Sequence, residues 1–90
     1  MKIEEIIEEV KNLDDLLKEA VRVSIYNGGV SPAFLQRKFA IGYTRASKLI
    51  DYMLYFGFVN PRNGEKMCKI IITPELFEEI FGEKFETKKD

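Results

Sequence analysis

The 90-residue sequence has no histidine, no tryptophan and a single cysteine, Cys68. Without histidine, the commonest general base and metal ligand are gone. One thiol can neither close an intrachain disulfide nor supply a zinc site. The carboxylates fall on helix faces with no basic or metal-ligating complement, so no nucleophile–base pair can be assembled. These absences predict a protein that is not an enzyme and that takes no metal and no cofactor. No apolar run approaches the roughly 20 residues needed to span a bilayer, so no membrane partner is expected. Glu4, Glu5, Glu8 and Glu9 interrupt what would be the apolar region of a secretory leader. A lone thiol and no leader fit a reducing, cytoplasmic setting. Only three prolines and six glycines interrupt the chain, and neither a repeat nor a low-complexity linker is present.

Hydrophobic residues make up 46% and charged residues 32%, the composition of one small folded domain. The net charge of −1 hides a segregation. Residues 1–12 hold two Lys against four Glu, residues 13–73 hold nine Lys or Arg against five acids, and residues 74–90 hold three Lys against six acids. A basic centre between two acidic ends is a local electrostatic footprint that the total conceals.

Ile3, Ile6, Ile7 and Val10 recur at helical spacing with glutamates opposite, predicting an amphipathic helix over 2–11. A similar stripe from Leu13 to about Tyr26 gives either a second helix capped by Asp14 or a continuation of the first. Asn27-Gly28-Gly29 stops it, and Val30 adds a strand-like residue. Ser31-Pro32 starts a short helix to Phe39 that buries Leu35 and Phe39 and presents Gln36, Arg37 and Lys38. Gly42 is expected to make a tight turn into a helix from Tyr43 to Phe56, with Ala46, Leu49, Ile50, Met53 and Leu54 inward. Two strands over 58–60 and 67–72, joined across Asn63-Gly64, form a hairpin. Thr73-Pro74 starts a last helix, ended by Gly82, and a frayed tail follows from Glu83 to Asp90.

Three helices and a hairpin in that order describe a winged helix-turn-helix, a mainly α fold of the α+β class with extra N- and C-terminal helices. Its parts divide as an acidic helical extension over 1–12, a winged-helix domain over 13–73 and a short helix with its tail over 74–90. Arg and Lys on the outward positions of both central helices point to a polyanion, and double-stranded DNA is the one such a fold meets. Backbone contacts are expected from Gln36, Arg37, Lys38, Tyr43 and Arg45, and wing contacts from Arg62 and Lys66. The plainer reading of these cations is a solvated surface. Lys48 and Asp51 can equally bridge each other as an i,i+3 pair. The acidic first helix either extends the core away from DNA or zips its apolar stripe against a second copy.

The run Leu35-Gln36-Arg37-Lys38-Phe39, then Ile41-Gly42-Tyr43-Thr44-Arg45-Ala46-Ser47-Lys48-Leu49-Ile50-Asp51, then Met53 and Gly57-Phe58-Val59, resembles the C-terminal gamma domain of FtsK/SpoIIIE DNA translocases. Asp15-Leu16-Leu17 and Ala20-Val21 fit the helix before it. The resemblance implies a reader of polarised chromosomal sequences that orients a translocase motor, sits in several copies on one duplex and contacts a tyrosine recombinase of the XerD type. It also implies base reading by Thr44, Lys48 and Asp51, at positions where the family carries Asn, Arg and Glu. Lysine lacks the planar fork that grips guanine bidentately, so it reads guanine less sharply. No Gly-x-x-x-x-Gly-Lys-Ser/Thr loop occurs, so the chain is either an excised reader domain or a small nucleoid-associated protein that uses the reader alone on a motor supplied in trans. The flanking helices favour the second. Two other uses stay open: a transcriptional regulator, and an adaptor that docks on a recombinase or motor.

Overall fold

A computed structural model describes residues 1–86 as five helices and a small sheet. Helices α1 (Ile3–Val10) and α2 (Leu17–Asn27) are separate. The break falls at Asp14, whose Oδ1 accepts the Leu16 amide at 2.9 Å while its carbonyl accepts the Leu17 amide at 2.9 Å. A side chain bonding to an amide two residues ahead diverts the backbone from a continuous helix. On α1, Ile6 is buried, with Ile3 and Val10 packed beside it, and the helix leans on α5 (Pro74–Phe81). The apolar stripe is thus used within the chain. In α2 the one buried polar side chain, Ser24, donates its hydroxyl to the Ala20 carbonyl at 2.7 Å and so is satisfied.

The helix-turn-helix comprises α3 (Pro32–Phe39) and α4 (Tyr43–Tyr55). Ser31 caps α3 by accepting the Phe34 amide at 3.1 Å, and Pro32 fills the first turn, where its missing donor loses nothing. The turn differs from expectation. Its left-handed residue is Ala40 (φ 54°), whereas Gly42 is extended (φ −78°, ψ 170°). The chain must reverse directly after Phe39 if both Phe39 and Ile41 are to reach the core, which places the bend two residues before Gly42. An alanine there costs about 1 kcal/mol of backbone strain. At the far end of α4, Gly57 (φ 77°) closes a Schellman motif, the Phe58 amide donating to the Met53 carbonyl at 2.8 Å and the Gly57 amide to Leu54 at 3.1 Å.

The wing is shorter than the sequence suggests. Asn63 and Gly64 both take positive φ, and the Glu65 amide donates to the Arg62 carbonyl at 2.9 Å, a type I′ turn. The two arms meet at a Val59–Ile70 bridge, the adjoining Asn60 amide to Lys69 carbonyl bond, and the Ile71 and Ile72 amides, which both donate to the Phe58 carbonyl. Pro61 offers no amide, and residues 61–67 bury nothing that would extend the ladder. Instead β2 (Cys68–Lys69) pairs antiparallel with β1 (Gly29–Val30), Val30 facing Cys68, and so ties the wing to the end of α2.

Helix α5 opens on Thr73, which accepts the Leu76 amide at 3.1 Å, with Pro74 next. Phe77 is fully buried, with its ring 4.9 Å from Phe81, 5.3 Å from Phe85 and under the Arg22 guanidinium at 4.9 Å. The tail expected to fray from Glu83 packs instead as far as Glu86. Phe85 is buried, its amide donates to Glu78 at 2.7 Å, and the Tyr26 hydroxyl donates to the Glu86 carbonyl. Burial of one more aromatic ring outweighs the entropy of four residues. The rest of the expected tail, residues 87–90, lies outside the described residues.

Candidate nucleic-acid interface

Helix α4 buries Ala46, Leu49, Ile50 and Met53 and leaves Thr44, Arg45, Lys48, Asp51 and Tyr55 exposed. Positions 44, 48, 51 and 55 follow one another on a single face, so Thr44, Lys48 and Asp51 stand in a row along the helix. Among the described residues no ion pair joins Lys48 to Asp51, and both side chains are left to solvent. Gly42 caps the helix without a side chain, and the first turn carries no acid. The first amides of α4 therefore have no side-chain acceptor from the cap or from their own turn.

The two flanks of this row differ in sign. On one side, Gln36 and Arg37 of α3, Tyr43, and Arg62 and Lys66 of the wing line a single groove of about 600 Å³. Tyr43 is 64% exposed within it, a phenol ring presented to solvent beside three cations. A smaller recess of about 190 Å³ brings Arg62 beside Tyr43, Ser47 and Asp51. Lys38 is exposed on α3 but does not line the groove. So the structure gathers Gln36, Arg37, Tyr43, Arg62 and Lys66, and leaves Lys38 on the outer side of its helix.

The opposite flank is acidic. Asp14 grips Arg45 with both oxygens, Oδ2 accepting from Nε at 2.8 Å and Oδ1 from Nη2 at 2.6 Å. The Arg45 guanidinium holds the Asp14 carboxyl below the usual carboxylate range, against the opposing effect of burial and with help from the Leu16 amide. Asp14 is therefore charged at neutral pH. Asn12, Asp14 and Asp15 share a shallow groove with Thr44, Arg45 and Lys48. Farther along α4, Glu9 lies beside Lys48, Asp51 and Tyr55, and its charge pushes the Tyr55 phenol up. A glutamate of α1 thus stands beside the outward row of α4. Asp14 is the residue that sequence reasoning placed only as a helix cap; its partner lies 31 positions away, beyond any local signal.

Among the described residues no group of His, Cys, Asp and Glu can hold a metal ion, and no helix is long and apolar enough to cross a membrane. Comparison with known proteins finds a similar sequence in DNA translocases. The DNA translocase SpoIIIE of Bacillus subtilis (strain 168) is 40% identical over 67 residues, which are 74% of this chain and 8% of the relative. The DNA translocase FtsK of Caldanaerobacter subterraneus subsp. tengcongensis is 38% identical over 78 residues, 82% of this chain and 11% of its own length. That of Treponema pallidum is 46% identical over 57 residues, 63% and 7% respectively. The chain spans about a tenth of the length of these relatives. The family model for the FtsK gamma domain matches residues 11–73. That span opens just before the Asp14 turn and closes at the end of the wing, taking in the whole helix-turn-helix: the chain belongs to the FtsK gamma-domain family.

Proposed function

We propose that this chain is a non-catalytic, sequence-selective reader of double-stranded DNA that orients a translocase, or the recombinase it serves, on the chromosome in the nucleoid. The observation that supports this most is the exposed polar row Thr44, Lys48 and Asp51 on α4, flanked by Gln36, Arg37, Tyr43, Arg62 and Lys66 in one groove. A helix of this kind enters the major groove, where Lys48 donates to guanine O6 and N7, Asp51 accepts from cytosine N4, and Thr44 meets a base edge or a thymine methyl. Gln36, Arg37, Lys38, Tyr43 and Arg45 hold phosphates, and Arg62 and Lys66 reach the neighbouring backbone. Copies can stand side by side on one duplex.

Selection from random duplexes with the purified chain yields the preferred site. On it, Lys48→Ala weakens binding about tenfold, the loss of one base contact of about 1–3 kcal/mol. Salt-sensitive binding to unrelated duplexes persists, because the phosphate contacts remain. Gel shifts at two salt concentrations read both quantities. A wild-type chain that ignores every duplex at low salt refutes the reading.

A further inference from the structure

We propose that Asp14 is a positioning residue for DNA binding: it fixes Arg45 so that the free edge of the guanidinium meets a backbone phosphate. The inference rests on the reading of α4 as the DNA-contacting helix. The geometry is that of a carboxylate standing behind a cation. Asp14 is only 17% exposed and Arg45 is 50% exposed, so the acid is the inner partner and the guanidinium the outer one. Both carboxylate oxygens are used on Nε and Nη2, which leaves the Nη1 edge with no partner among the described residues. Arg45 shares its groove with Thr44 and Lys48, two of the candidate base readers, so a phosphate beside them comes within its reach.

The carboxylate itself is anchored. Its Oδ1 also accepts the Leu16 amide at 2.9 Å, and the Asp14 carbonyl takes the Leu17 amide, so the acid is fixed to the start of α2. A long arginine free in solution loses rotamer entropy when it meets a phosphate. One already clamped has that loss behind it and presents a planar donor edge ready for charge-assisted bonding. Asp14 therefore strengthens DNA binding although its own charge repels phosphate, and this opposition makes the role testable.

The experiment is fluorescence anisotropy of the full chain on its selected duplex across a salt series, with wild type, Asp14→Asn, Arg45→Gln and the double variant. Asparagine keeps a side-chain oxygen for the Leu16 amide, so the turn into α2 is retained; thermal melts confirm that each variant is folded at the assay temperature. Asp14→Asn is expected to weaken binding about five- to tenfold although it removes a negative charge, and to lower the log–log salt slope by about 0.9, one phosphate contact. Arg45→Gln is expected to do the same, and the double variant to be no weaker than Arg45→Gln alone. Equal or tighter binding by Asp14→Asn overturns the assignment, showing that the acid merely sequesters Arg45 or repels DNA. An unchanged salt slope in Arg45→Gln overturns it too, showing a clamp that only holds helices together. Should wild type bind no duplex at all, the reading of α4 falls and this assignment with it.

Discussion

Replacing Arg37 and Lys38 together with glutamate lowers duplex affinity a hundredfold or more while leaving the chain folded. Each cation supplies a charge-assisted contact of about 1.5 kcal/mol or more, so two lost contacts already amount to about 3 kcal/mol, a factor near 10². Reversal adds repulsion to that. The salt slope falls by about 1.8, two phosphate contacts, which separates this variant from Lys48→Ala with its loss of sequence preference. Both side chains are exposed and lie in the last turn of α3, where positive charge suits the helix end. Reversing them there costs about 1 kcal/mol of stability in all, a fall in Tm of several degrees. Anisotropy titrations at 0.05 and 0.2 M salt with a parallel thermal melt measure both effects. Wild-type affinity in the doubly reversed variant would place the DNA elsewhere.

The largest loss of stability is expected outside the span that matches the family. Phe77→Ala destabilises the chain by about 4 kcal/mol, the usual loss for a large aromatic in a packed core. A domain of this size has about 5–13 kcal/mol in total, so the variant is close to unfolding at physiological temperature. Phe77 is 0% exposed and joins α5 to α2 through the Arg22 guanidinium, while its contacts with Phe81 and Phe85 hold the segment after the helix. Urea denaturation followed by circular dichroism gives the midpoint; an unshifted midpoint would show α5 to be an appendage. The expected shift makes α5 an integral wall of the domain, although the family match stops at residue 73.

The helices of the helix-turn-helix were legible because their signals are local. Ser31-Pro32 and Thr73-Pro74 each place a hydroxyl cap beside a proline, and both cap as expected. The period of Ala46, Leu49, Ile50 and Met53 gives the outward row of α4 by elimination. Asn63-Gly64 forms the turn its residues favour. What was not legible depends on distant packing. The strained Ala40 answers to where Phe39 and Ile41 must go, and nothing in an alanine announces a left-handed bend. Phe85 is buried because Tyr26 and Phe77 stand where it lands, contacts separated by 59 and 8 positions in sequence. The acidic flank was present in the sequence as charge without a place. Only the packing of α1 on α5 and the long-range pair of Asp14 with Arg45 put it beside the outward row of α4.

Cys68, buried opposite Val30 in the two-residue pairing of β2 with β1, turns the wing into its own timepiece. Burial pushes its thiol up, opposed only by the charge of Arg62, so the nucleophilic thiolate is scarce until the pairing parts. A thiol-specific chromogen such as dithionitrobenzoate can react only with the opened form, so the trapping rate reports how often the wing lifts from the body. Trapping slowed by added duplex would mean that DNA steadies the wing, and a rate equal to that of free cysteine would mean that the pairing offers no protection.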